Sequence, residues 1–143
     1  MTDFRYPAAF KSELEGGFTV RFTDLPEAIT HGDDRADALA QGADCLEEAV
    51  ANRIVAGLEI PPPSPGRRGT MIPLAPAMAA KAALYLAVRD AGVSNVELAR
   101  RLGVDEKEVR RMLNPRHATK LTRIQAALAL LGKRLVVIVE EAA

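Results

Sequence analysis

Residues 95–114 read NVELARRLGVDEKEVRRMLN. The stretch predicts two short helices joined by a tight turn. Ala99 is small where a second helix must pack closely, and Gly103 sits where a residue free to adopt φ > 0 is wanted. Leu98, Leu102, Val104, Val109 and Leu113 supply an apolar seam. Lys107, Arg110, Arg111 and Asn114 are left outward on the second helix. This is the layout of a helix-turn-helix, whose second helix enters the DNA major groove. The groove-reading candidates are therefore Lys107, Arg110, Arg111 and Asn114, since arginine fits guanine and asparagine fits adenine in a bidentate manner. Arg116, His117 and Lys120 follow in a loop suited to phosphate oxygens, and Ser94 and Asn95 open the first helix with further donors.

Capping signals frame the motif. Ser94 stands three residues before Glu97, and Asp105 three before Glu108, the capping-box spacing. A helix is expected from Pro76 or Ala77 to about Ala91, stopped by Gly92. Pro115 ends the second helix of the motif. Leu121, Ile124, Leu128 and Leu131 predict a last helix closed by Gly132. Residues 135–139, LVVIV, then read as a strand. A lone apolar strand in a helical module has unmet backbone groups, so the expectation is a homodimer or higher homo-oligomer paired strand to strand, the alternative being a strand packed back on the N-terminal sheet of its own chain.

Upstream the pattern changes. Phe4, Tyr6, Ala8 and Phe10 share one parity, with Pro7 on the other, which predicts a strand at or near a sheet edge. Glu15-Gly16-Gly17 is a hairpin signal. Phe18, Val20 and Phe22 alternate with Thr19, Arg21 and Thr23, giving a half-buried strand. Asp24-Leu25-Pro26 turns the chain into a short third strand at 28–31. Asp33 is expected to cap a helix of about 22 residues with an inward stripe of Ala36, Leu39, Ala43, Leu46, Val50 and Ile54, ended by Gly57. The fold class is α+β: an antiparallel sheet with one packed helix, then a helical helix-turn-helix domain with a C-terminal strand. Domain limits are set at 1–60 and 77–143. Residues 61–76 form a Pro-rich linker in which 70–74 can be a short strand.

The net charge of zero conceals an asymmetry. Residues 1–77 carry 7 Lys/Arg and 12 Asp/Glu, a net of −5, and residues 78–143 carry 12 and 7, a net of +5. A basic module facing DNA and an acidic module facing another partner follow from that division. A single Cys45 excludes an intrachain disulfide and a multi-cysteine zinc site. With no secretory signal and no long apolar run, a cytoplasmic protein is expected. Catalysis is not expected, nor is a metal or other cofactor. His31 and His117 lie in different modules, Cys45 reads as a small core residue, and Asp33 and Asp34 are explained by capping.

The whole pattern carries a resemblance. GGFTVRFTDLPEAITHGDD, the helix ADALAQGADCLEEAVANRIVAG and EIPPPS resemble the N-terminal domain of HicB antitoxins. The segment from KAALYLAVRD to LVVIVEEA resembles the C-terminal helix-turn-helix of the members that carry one. The resemblance covers Phe4 to Glu141. It implies a truncated RNase H-like N-terminal fold lacking the catalytic carboxylates. It also implies binding to a HicA toxin, an mRNA-cleaving ribonuclease, and repression of the chain's own operon at its double-stranded operator. The acidic first half suits a basic RNA-cutting partner, which nominates Asp24, Glu27, Asp33 and Asp34 as toxin-binding residues. The chain departs from the family at Glu27, where glycine often follows Leu-Pro. The alternatives weighed are a transcription regulator whose N-terminal domain senses a small ligand, and a residual RNase H-like nuclease.

Overall fold

The computed structural model describes residues 2–65 and 69–142. Residues 66–68 of the Pro-rich segment lie outside the described residues. The chain divides into two compact units, Met1–Ala79 and Ala80–Ala143.

The first unit is a four-stranded antiparallel sheet under one long helix. Its strands are β1 (Arg5–Ser12), β2 (Phe18–Phe22), β3 (Ile29–Gly32) and β4 (Thr70–Pro73), and its helix is α1 (Arg35–Ala56). The strand order is β3-β2-β1-β4. Ser12 pairs with Phe18 and Ala8 with Phe22 across the first hairpin. Gly16 and Gly17 turn that hairpin at positive φ, 102° and 76°, backbone states that a side chain disfavours. Tyr6, Ala8, Val20, Phe22 and Ile72 are buried, and so are Leu46, Val50 and Ile54 of α1. Both apolar surfaces are thereby removed from water.

Three points sharpen or correct the expectations. First, β1 lies near the edge but not at it, because 70–73, within the short strand expected inside the linker, pairs along it from Arg5↔Pro73 to Ala8↔Thr70. Pro7 is tolerated because the β1–β2 ladder ends at Ala8. On that side only the Pro7 carbonyl is used, accepting from Thr23 N at 3.3 Å, so the missing N–H leaves no gap. Second, α1 is capped one residue later, by Asp34, which accepts from Asp37 N at 2.7 Å, while Asp33 N donates to the Asp37 carboxylate at 2.8 Å. Third, the first half of α1 turns Ala38 and Gly42 inward rather than Ala36, Leu39 and Ala43. The helix approaches the sheet too closely there for larger groups. A methyl built on Gly32 would lie 2.3 Å from the Ala38 backbone, and one on Gly42 would lie 2.9 Å from Ile72 Cδ1.

The second unit is helical. It contains most of α2 (Pro76–Ala91), then α3 (Asn95–Leu102), α4 (Glu106–Leu113) and α5 (Leu121–Leu130). Leu84, Ala87, Met112, Ile124, Ala127 and Leu128 form one buried cluster. Leu98, Ala99 and Val109 form a second, with Leu102, Val104 and Leu113 partly buried against it. The expected C-terminal strand is absent: residues 135–139 take no sheet partner among the described residues. Val136 to Val139 are exposed, Val139 at 93%. The apolar β-branched run supplies propensity, but a strand exists only where a neighbour completes its hydrogen bonds.

The close approach at Gly32 is testable. Gly32→Ala is expected to lower unfolding free energy by about 1–3 kcal/mol through overpacking against a backbone that cannot yield. Urea denaturation checks it, and a wild-type midpoint would contradict the geometry.

Candidate functional site

The α3–α4 pair is built from local signals. Ser94 caps α3 by accepting from Glu97 N at 3.1 Å, and Asp105 caps α4 by accepting from Glu108 N at 2.9 Å. Between them Gly103 takes φ 70°, and its N–H and that of Val104 satisfy the last carbonyls of α3. Asparagine or glycine alone adopts that conformation readily. Ala99 and Val109 are 4% and 0% exposed, so the two helices meet without a gap.

The outer surface of α4 is cationic. Lys107, Arg110 and Arg111 fall at i, i+3 and i+4, one side of a helix, and all three are exposed. Arg110 pairs with Glu106 at 3.8 Å, and Arg111 with Glu108 at 3.3 Å. Asn114 caps the C-terminal end of α4, and its Oδ1 accepts from Arg116 N at 2.9 Å. His117 N donates to Asn114 O at 3.1 Å, and its ring Nδ1 lies 3.1 Å from Thr119 Oγ1. Lys120 stands at the first residue before α5, exposed and without a side-chain cap bond. Ser94 and Asn95 sit together at the start of α3. The nine residues read as DNA-contacting thus occupy the two ends of the α3–α4 pair, the outer side of α4 and the loop after it. Such a surface offers guanidinium and ammonium donors for phosphates and base edges.

Several residues of this surface escape sequence reasoning. Arg123 of α5 donates to Glu108 at 2.8 Å, so Glu108 holds Arg111 and Arg123 side by side. Its spacing three residues after Lys120 is the signal that was available. Arg100 and Arg101 turn back to Glu97 at 2.6 and 3.0 Å, and hold its carboxyl down to about 2.

Lys81 of α2 is the buried charged residue among the described residues, 5% exposed. Its ammonium donates to Arg111 O at 3.0 Å, Met112 O at 2.8 Å and Thr119 Oγ1 at 2.6 Å. Nothing in a linear reading distinguishes it from a solvated lysine. Burial pulls its pKa down from 10.5 to about 8, against the opposing pull of Glu108.

The four acidic positions nominated for a partner fall into two places. Asp24 accepts from Ser64 N at 2.8 Å and from the Ser64 hydroxyl. Glu27 takes both Nε and Nη2 of Arg53, at 2.6 and 2.8 Å, and that guanidinium also donates to Glu59 O at 2.9 Å. The Arg53 bonds hold the Glu27 carboxyl below its ordinary range. Where glycine would leave the turn open, Glu27 ties it to α1. With Tyr6 Oη donating to Pro61 O at 2.8 Å, these bonds fasten the Pro-rich segment to the sheet. Asp33 and Asp34 lie at the other end of β3, about 13 Å along the strand at 3.3 Å per residue, and are engaged in the α1 cap. Cys45 is half-buried, with its thiol pKa raised chiefly by burial. Among the described residues no group of three His, Cys, Asp or Glu side chains is placed to hold a metal ion, and no helix is long and apolar enough to cross a membrane.

The chain is thus a small two-part α+β protein, a sheet-and-helix unit followed by a helical unit with a cationic exposed helix. Residues 5–83 match the family described as HicB_like antitoxin of bacterial toxin-antitoxin system. Antitoxin HicB 2 of Photorhabdus laumondii is 40% identical over 134 residues, 93% of this chain and 94% of that one. Antitoxin HicB 1 of the same organism is 34% identical over 139 residues, 96% and 88% of the two chains. Antitoxin HicB of Escherichia coli K12 is 36% identical over 132 residues, 92% and 96%. The chain belongs to the HicB-like antitoxin family.

The depressed Lys81 value predicts a signed pH dependence. Below pH 8 the ammonium is charged in both states and contributes no slope. Between about 8 and 10.5 the unfolded chain binds a proton that the folded one does not, so stability rises with pH. Relative to K81M, the wild type is expected to gain on the order of 3 kcal/mol across that interval. Parallel denaturant titrations at pH 7.5 and 10 measure the difference, and no relative change would contradict it.

Proposed function

We propose that this antitoxin neutralises a HicA-type mRNA-cleaving ribonuclease through its first unit and represses its own operon through its second. In this reading α3 and α4 are a helix-turn-helix, with α4 in the major groove. The first unit is a truncated RNase H-like domain. The observation that carries the DNA reading is the cationic side of α4, Lys107, Arg110 and Arg111, presented outward while Val109 and Met112 anchor the opposite side. Family membership carries the toxin reading, since a toxin-antitoxin system supplies a toxin for the antitoxin to restrain.

The exposed run 136–139 supports a homodimer. Two tails paired across a twofold axis satisfy each other's backbone groups and present two recognition helices to a palindromic operator.

Co-expression with the short basic partner of its operon is the test of the toxin reading. The partner alone is expected to arrest growth, and this chain to rescue it as a stable complex. Failure of rescue with both proteins present would refute it. For DNA, Arg111→Ala is expected to weaken operator binding by about 1–3 kcal/mol at fixed salt and relax specificity at one base pair. Deletion of residues 135–143 is expected to convert a dimer to a monomer by sedimentation.

A further inference from the structure

Helix α4 ends in an unusual way. The last carbonyls of a helix lack intrahelical partners; here Arg111 O accepts from the capping Asn114 N at 3.1 Å, and both Arg111 O and Met112 O also accept from one ammonium on another helix. The third donor of that ammonium reaches Thr119 Oγ1 beyond the Pro115 turn. Thr119 is in turn within 3.1 Å of the His117 ring and 3.4 Å of Arg111 O. One buried side chain therefore joins α2, the end of α4 and the loop leading to α5.

Burying an ammonium costs solvation that its hydrogen bonds must offset, so its net contribution to stability is modest. What an ammonium provides and a thioether does not is direction: three donors aimed at three fixed oxygens. The acceptors belong to the segment that carries Arg111, Asn114, Arg116 and His117. The groups facing Lys81 include Glu108 of α4 and, through Thr119, His117.

We propose that Lys81 is a positioning residue for DNA binding, clamping the C-terminal end of α4 and the 115–119 loop so that their polar side chains meet the duplex in register. This rests on the reading of the second unit as an operator-binding module. Lys81 itself touches no DNA, being enclosed by the protein.

The test compares full-length wild type, K81M and T119V on a fluorescent duplex taken from upstream of the chain's own reading frame, by anisotropy at several salt concentrations. Amide exchange of residues 114–119 is followed in parallel. K81M is expected to stay folded, bind at least ten-fold more weakly and exchange faster at 114–119. Its salt dependence becomes shallower by about one phosphate contact or more, although no phosphate-binding side chain has been removed. T119V is expected to show a smaller loss in the same direction. Folded K81M with wild-type affinity and exchange overturns the proposal, as does wild-type behaviour of T119V should K81M fail to fold. A wild-type chain that does not bind the duplex overturns the DNA reading itself, whatever the exchange of K81M shows.

Discussion

An eight-residue helix does not hold itself together in water, because nucleation costs more than its few hydrogen bonds return. Helix α4 exists because it is fixed from three sides. Asp105 satisfies its first turn, Val109 and Met112 are buried beneath it, and Lys81 meets its final carbonyls. The exposed cations on its outer side owe their position to those three restraints. The loop after it inherits the same anchor through Thr119.

The first unit solves a different problem. Its strands are short, between four and eight residues, and such a sheet needs one face covered. Helix α1 covers it at close range, which only Gly32, Ala38 and Gly42 permit. The Pro-rich segment is fastened to the same sheet by Tyr6 and Asp24, and Arg53 ties the β2–β3 turn to α1 through Glu27. Carboxylates that look available for a partner in the linear sequence are thus partly occupied at home.

Much of the organisation was legible in the sequence. The glycines that turn chains, the Ser94 and Asp105 caps and the 22-residue α1 all rest on interactions within a few residues, and these formed where their spacing placed them. What shifted was set by distant neighbours. Pro7 marks an edge by local rule, yet residues 70–73 cover that edge from far along the chain. The LVVIV run has strand propensity but no strand beside it.

The sequence by itself determined the α+β composition, the cationic side of α4 and membership of the antitoxin family, because periodicity, capping and family motifs are written in local order. Only the tertiary structure decided that β4 completes the sheet, that Glu27 serves Arg53, and that Lys81 is buried beneath α4. Each depends on residues between 26 and about 65 positions apart becoming neighbours. No spacing rule encodes such a meeting. It is settled by which backbone and charged groups must find partners once the apolar surfaces have closed.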